Sequence, residues 1–230
     1  MEIAEDGWLS ERFGHPVYTV RGGFDPDALP AGPATYQAKV PSADVMLLHR
    51  LCDAGFRVVC TSVTLRREPA PVEAVGDDPR VRLLDADRDG SVPEVAARAF
   101  RLSRFHLDPE VPDAVAKAIK RDWAAAYLAG TRGEHALVVE LDGRPVGFLG
   151  VVASGDVRVI DLIAVAPEAQ GRGVGGALVR RLCSDWSGPV EVGTQSANEA
   201  GIRFYERLGF ETARTAYDLH LHAGSPWTAR

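Results

Sequence analysis

A mixed α/β fold of the α+β kind, built on a largely antiparallel central sheet, is expected for this chain of 230 residues. Three features carry that expectation. Residues 135–167, "HALVVELDGRPVGFLGVVASGDVRVIDLIAVAP", hold three apolar runs separated by "LDGRP" and "SGD", tight-turn signals that favour antiparallel hairpins. Two stretches carry helical periodicity: Val115, Ile119, Trp123 and Tyr127 at steps of four, then Val174, Leu178, Leu182 and Trp186. The first third alternates strand-like and helix-like runs, which adds a small α/β unit in front of the main sheet.

In chain order, "HPVYTV" and "PATYQAKV" read as strands. "SADVMLLHRLCDAGF" reads as a helix with Ser42 as N-cap and Gly55 as its stop, followed by the strand "RVVCTSVTL". This unit, residues 1–66, is marginal alone at roughly 65 residues and is expected to pack on the rest. Residues 67–80, "REPAPVEAVGDDPR", are rich in proline and acid and read as a linker. The main domain, 81–222, opens with the strand "VRLLDADRD" and the helix "SVPEVAARAFRL". The long helix "VPDAVAKAIKRDWAAAYLAG" ends at Gly130, and the three hairpin strands follow. Then come a glycine-rich helix, the strand "PVEVGTQ", the helix "ANEAGIRFYERLG" and a last strand "AYDLHLH". Residues 223–230 read as a tail.

Composition narrows the function classes. Apolar content of 46% with 25% charged residues is ordinary for a globular protein. A net charge of −6 without a basic block argues against nucleic acid as a partner. The acidic start "MEIAEDGWLS" does not read as a signal peptide, and no run is long enough for a membrane span. Cys52, Cys60 and Cys183 have neither metal nor redox spacing and read as reduced thiols, so a cytoplasmic protein is expected.

The chemistry concentrates in "APEAQGRGVGGALVRRLCS", residues 166–184, with Gly171, Gly173, Gly175 and Gly176 at the mouth of a helix. Glycines there let backbone N–H groups approach an anion, the helix N-terminus adds partial positive charge, and Arg172 adds a full one. Gly171, Gly173 and Gly176 also satisfy G-x-G-x-x-G, with Glu191 about twenty residues on. A dinucleotide site would place that turn after the first strand of a parallel βαβ unit, whereas here it follows antiparallel strands. No G-K-[ST] is present, which excludes a P-loop. Tight packing alone is the remaining alternative.

Read with Gln170, the stretch is Q-x-x-G-x-G, with Gly173 and Gly175, and "NEAGIRFYERLGF" follows it. Together these resemble the acyl-CoA signature and the following helix of the GNAT acetyltransferases, over roughly residues 80–222. The resemblance implies the GNAT fold and acetyl-CoA as acyl donor. It implies that the strands "RVIDLIAVAP" and "PVEVGTQ" splay apart at a bulge to admit the pantetheine arm, with Pro167 suiting the point where pairing stops. Gly171, Arg172, Gly173, Val174 and Gly175 would hold the pyrophosphate, and backbone at Ile163 and Val165 would pair with the pantetheine. An N–H near Ala164 would stabilise the oxyanion. Tyr205 would be the general acid for the leaving thiolate, and Asn198 would serve the cofactor. For Tyr205 a core aromatic, and for Asn198 a helix cap, are the alternatives.

A narrower resemblance joins "RFGHPVYTV", "DAGFRVVCTSVTL", "AFRLSRFHLDPEV" and "DWAAAYLAG" to the segment that runs on from "GTQSANEAGIRF". These are similar to the dTDP-fucosamine acetyltransferases, which acetylate the 4-amino group of a dTDP-linked dideoxy sugar (dTDP-4-amino-4,6-dideoxygalactose). Their N-terminal unit resembles a truncated half of the same fold. The likeness implies an amino-sugar acceptor, with Arg104, Thr194 and Gln195 on the acceptor side. Another small amine, or a non-catalytic acyl-CoA sensor, is the rival reading, and a homodimer is open.

One departure bears on the proton. Cys60, Thr61 and Thr64 stand where those enzymes carry carboxylates, which leaves Asp161 or a water relay to deprotonate the amine, the relay being preferred. His220 and His222 share a strand face, but no third metal ligand is apparent and no metal is expected.

Overall fold

The computed structural model describes residues 2–22, 25, 29, 32–69 and 78–224. Ten strands form one sheet in the order β1-β2-β3-β10-β4-β9-β8-β7-β6-β5. The strands are β1 (Glu2–Glu5), β2 (Val17–Arg21), β3 (Ala34–Pro41), β4 (Arg57–Arg67), β5 (Val81–Leu83), β6 (His135–Leu141), β7 (Arg144–Ser154), β8 (Val157–Val165), β9 (Val190–Gln195) and β10 (Glu211–Ala223). The helices are α1 (Gly7–Phe13), α2 (Val45–Asp53), α3 (Val92–Ala99), α4 (Arg104–Leu107), α5 (Asp113–Leu128), α6 (Val174–Asp185) and α7 (Glu199–Glu206). Only β2–β3 and β8–β9 are parallel pairs, so the sheet is mixed and mostly antiparallel, as expected.

Hydrogen bonding runs without a break between the two expected units. β4 pairs with β9 on one edge and with β10 on the other. The buried side chains nevertheless gather in distinct clusters. Val63 and Leu65 of β4 join the large core around β6–β9, α6 and α7, while Val20, Tyr36, Leu51 and Phe56 form a second cluster with Leu219. Most of the expected linker (70–77) and most of the tail (225–230) lie outside the described residues.

Two glycines of β7 set how closely helices approach the sheet. A Cβ on Gly147 would clash with Val174 of α6, and one on Gly150 would clash with the Tyr127 ring of α5. Positions three apart on a strand face opposite ways. The two helices therefore cover opposite faces at the centre of the sheet.

Several local expectations need correction. Asp44, not Ser42, caps α2, because its carboxylate accepts from the Leu47 N–H, while the Ser42 hydroxyl bonds Thr215 Oγ1. Trp186 lies one residue beyond α6 in extended backbone. β1, α1 and the four-residue α4 were not anticipated, and β10 is longer than "AYDLHLH". α1 is held by Asp6, whose side chain accepts from the Leu9 N–H, and a lone acidic cap in an acidic run gives little sequence signal.

Candidate active site

The site is organised by an irregularity in β8. Gly150 pairs with Leu162 and Val151 with Ile160, so Asp161 is an extra, bulged residue. On the other edge β8 pairs with β9 at Arg158, Val159 and Ile160 only. From Asp161 onward the strand keeps β7 and loses β9. The expected splay is there, but it begins at Ile160 rather than near Pro167, which instead opens a 3-10 turn. A bulge increases local twist, which separates strands already held by a short parallel ladder. Ile163 and Val165 turn their N–H and C=O groups away from β7 into the gap, whereas Ala164, in phase with Ala166, whose N–H bonds the Val146 carbonyl, turns its own toward β7.

β8 leads through the loop at Gln170 into α6. Gln170 Nε2 donates to the Val165 carbonyl at 3.2 Å and ties the loop to the strand end. Gly171 and Gly173 both adopt left-handed backbone, with φ of 74° and 78°, which non-glycine residues resist. Gly173 is the N-cap of α6, and no side chain caps the helix. A Cβ on either Gly171 or Gly173 would meet open space, and Arg172 is exposed beside them. The first-turn N–H groups, with no acceptor inside the helix, face that space. Val174 is buried beneath, and Gly175 lies against Phe204 of α7. The arrangement fits an anionic, pyrophosphate-like group approached by backbone.

Tyr205 lies on α7. It is buried, edge-on to Phe204 and Phe210, and its hydroxyl has no hydrogen-bond partner among the described residues. Burial raises its pKa above the usual phenol value, so the group holds its proton. Asn198 caps α7 through Oδ1, which accepts from the Gly201 N–H, and Nδ2 donates to Thr194 Oγ1 at 3.0 Å. Thr194 is buried and Gln195 half-buried at the end of β9.

On the opposite face Asp161 is spent. Its carboxylate accepts from Trp123 Nε1 at 2.9 Å, Tyr127 hydroxyl at 2.8 Å, and Arg132 Nε and Nη2 at 2.6 and 2.8 Å. Desolvation raises its pKa, but the hydrogen bonds and charge of Arg132 outweigh that and leave it below the ordinary value. A carboxylate with four donors and a depressed pKa is a poor base. Sequence reading missed the three partners, which lie about thirty to forty positions away.

Arg104 is not a solvated loop cation. It begins α4, half-buried, with its guanidinium over the Phe105 ring and Nη2 donating to Gln37 Oε1 at 3.2 Å. It lines a cavity of about 640 Å³ with Arg21, Lys39, Thr64, Arg214 and Asp218, on the face formed by β2, β3, β10 and β4. Cys60 neighbours that cavity. Its thiol donates to Asp218 Oδ2, and burial, then the Asp218 charge, push its pKa up to about 12, so it is no nucleophile at neutral pH. His220 and His222 do have a third partner. Asp108 Oδ2 lies 2.6 Å from His220 Nδ1 and 2.8 Å from His222 Nε2, a juxtaposition of residues over a hundred positions apart.

Comparison with known proteins fits this geometry. Residues 132–212 match the family model described as an acetyltransferase (GNAT) domain. The chain is 30% identical over 135 residues to the spore coat polysaccharide biosynthesis protein SpsD of Bacillus subtilis, covering 57% of this chain and 46% of that one. It is 30% identical over 174 residues to a mycothiol acetyltransferase of Tsukamurella paurometabola, covering 68% and 57%. The chain thus spans about half the length of the curated relatives it matches. A GCN5-related N-acetyltransferase from Sphaerobacter thermophilus superposes with a TM-score of 0.58 at 15% identity, covering 83% of this chain and 60% of that one, and shares the fold.

Proposed function

We propose that this chain, which carries an acetyltransferase domain of the GNAT family at residues 132–212, transfers acetyl from acetyl-CoA to the amine of a small anionic acceptor, a nucleotide-linked 4-amino sugar. The observation that carries the reading is the gap between β8 and β9, which opens at a bulge onto the uncapped, glycine-lined start of α6. GNAT acetyltransferases use acetyl-CoA as acyl donor, and its thioester supplies the carbonyl carbon that the amine attacks.

The residues then divide the work. N–H groups of Gly173, Val174 and Gly175, with Gly171 and Arg172, hold the pyrophosphate, and Gln170 fixes their loop. The free edge of β8 at Ile163 and Val165 pairs with the pantetheine amides, and a gap-facing N–H beside Ala164, that of Val165, is offered to the oxyanion in place of Ala164's own, which faces β7. Tyr205 delivers its proton to the departing sulfur, a contribution of about 10²–10⁴-fold for a well-placed acid. Asn198 serves the site by fixing the start of α7 and so the aim of Tyr205. On the acceptor side, Arg104 and the other cations of the cavity favour an anionic group, with Thr194 and Gln195 nearest the gap. A relative named for polysaccharide biosynthesis supports a carbohydrate acceptor, while one named mycothiol acetyltransferase keeps another small amine as the second reading.

The test pairs binding with turnover. Acetyl-CoA is expected to raise the melting temperature where NAD does not. Thiol release over a panel of amines should be fastest with nucleotide-linked 4-amino sugars. Arg104→Ala should raise KM for that acceptor about tenfold and leave KM for acetyl-CoA unchanged. Turnover confined to uncharged amines would favour the second reading, and binding without turnover of any amine would favour a sensor.

A further inference from the structure

Four carboxylates are buried among the described residues, and three of them are saturated. Asp89 accepts from Arg82 twice and from the Asp85 N–H. Asp108 accepts from His220, His222 and the Glu110 N–H, and Glu191 from Arg66 once and Arg214 twice. Asp218, at 5% exposure, differs. Its one hydrogen bond among the described residues comes from the Cys60 thiol at 3.6 Å, a weak donor. Lys39 Nζ stands 3.9 Å off on a side chain more than half exposed. A buried carboxylate so poorly supplied costs stability unless another group donates to it.

The register shows where that donor would come from. Asp218 of β10 stands opposite Lys39 of β3 and Cys60 of β4, and the β10–β4 ladder bulges between Asp218 and Leu219. Bulges re-aim side chains, and Asp218 lines the cavity of about 640 Å³ that also holds Arg104. Arg104 Nε is buried there without a hydrogen-bond partner. Gln37 steadies the guanidinium, accepting from Nη2 through Oε1 while its own Nε2 donates to Thr19 Oγ1 at 2.9 Å. No ion pair joins Arg104 to Asp218 among the described residues. A cation and an anion face one space without touching, and a ligand that fills it must offer an acceptor to one and a donor to the other.

We propose that Asp218 is a specificity-determining residue: its carboxylate accepts a hydroxyl of a sugar whose phosphate group Arg104 holds. The proposal rests on the acceptor reading above and names the group that is read. A hydroxyl suits the place better than an ammonium. Arg21, Lys39, Arg104 and Arg214 line the cavity, and Asp218 is the one carboxylate among its described lining residues. An ammonium would meet those charges, whereas a hydroxyl donates without adding one. The reacting amine belongs elsewhere. β4 lies between β10 and β9, so Asp218 is two strand spacings, about 10 Å, from the strand that borders the gap. The carboxylate reads a part of the acceptor remote from the nitrogen and decides which molecule is presented, not how it reacts.

Two phosphate monoesters test this without turnover. Galactose 1-phosphate carries hydroxyls and methyl phosphate carries none, so calorimetry on the wild type should find the sugar phosphate bound at least about tenfold more tightly. Asp218→Ala should erase that preference by weakening galactose 1-phosphate alone, with methyl phosphate bound no worse than by the wild type. A carboxylate that merely supported the fold would weaken both probes together. With a nucleotide-linked amino sugar as acceptor, Asp218→Ala should raise KM about tenfold and leave kcat within about twofold. The wild-type comparison needs no variant and stands even where Asp218→Ala fails to fold. Equal affinity of the wild type for the two esters, tighter binding of ethanolamine phosphate than of galactose 1-phosphate, equal weakening of both esters in the variant, or a preference that survives in it would each overturn the proposal alone. Failure to bind acetyl-CoA and to release thiol with any amine would instead overturn the acetyltransferase reading, and the role of Asp218 in choosing an acceptor with it.

Discussion

On the α6 face of the sheet the bared groups are backbone N–H groups, whereas on the α5 face side chains from β8, α5 and the segment after α5 meet. The first arrangement comes from one continuous stretch, residues 170–175, whose glycines leave the backbone bare. The second joins Asp161 of β8, Trp123 and Tyr127 of α5, and Arg132, with Lys120 across the indole. Within that face two buried ionic groups have opposite fates. Asp161 has four donors and Lys120 has no hydrogen-bonded partner among the described residues. A saturated carboxylate builds structure, whereas the Lys120 amine is held only by the aromatic rings beside it.

The most severe way to break the contrast is Asp161→Ala. It strands an indole N–H, a phenol and a guanidinium that now share one acceptor. The loss should be about 3 kcal/mol in urea unfolding, at the low end for a buried pair because Arg132 is 39% exposed and screened. The pH dependence has a definite sign. The folded pKa lies below the ordinary 3.8, so the stabilisation is fully present above about pH 4 and disappears as the pH falls through the folded value. Wild type and variant should converge in acid, and a constant gap down to pH 2 would remove the carboxylate from this role.

Gly173→Val probes the other face, with binding rather than folding as its readout. A side chain there meets no protein atom, so it projects into the space in front of α6. The left-handed φ of 78° adds about 1–2 kcal/mol of strain for a β-branched residue. Acetyl-CoA affinity should fall at least about a hundredfold while the fold survives, measured by calorimetry. Affinity within threefold of wild type would show that the pyrophosphate does not sit on these N–H groups.

How much of this was legible in the sequence follows the same divide. Gly171, Gly173 and Gly175 announce themselves because a bare backbone has to be written in glycine, residue after residue. The hairpins were legible for a related reason: Asp142 and Gly143 supply the positive φ that a tight turn requires. Lys120 was hidden behind the stronger stripe of Val115, Ile119, Trp123 and Tyr127. The signal that would have found it is its own line of Ala116 and Ala124, too small to be a solvated face. The partners of Asp161 and the meeting of Asp108 with His220 and His222 depend on the topology, above all on β10 crossing back between β3 and β4. No local pattern encodes that crossing.

Tyr205→Phe tests the proposed general acid, because it removes a single oxygen. Since that hydroxyl bonds no described residue, stability should change little, while kcat should fall at least about tenfold at constant KM for acetyl-CoA. An unchanged kcat, with chemistry shown to limit the rate, would return Tyr205 to a packing role against Phe204 and Phe210.

The mildest effect is expected at Asn198, whose side chain joins α7 to the end of β9. Its Oδ1 caps a helix of only eight residues, and its Nδ2 reaches Thr194 at the end of β9. Both polar atoms are therefore engaged by protein, and in the reading proposed above the residue would act on the ligand through the position of α7. Asn198→Ala should cost about 1 kcal/mol of stability, the usual value of a cap. Asn198→Asp keeps the acceptor for the Gly201 N–H, favours the positive end of the helix, and should recover most of that loss. The two variants separate cap from contact. If Nδ2 bound the cofactor directly, the aspartate would place negative charge against an anionic ligand and raise KM for acetyl-CoA more than alanine does. The expected result is the reverse: KM for acetyl-CoA within about twofold of wild type for the aspartate, following stability rather than charge.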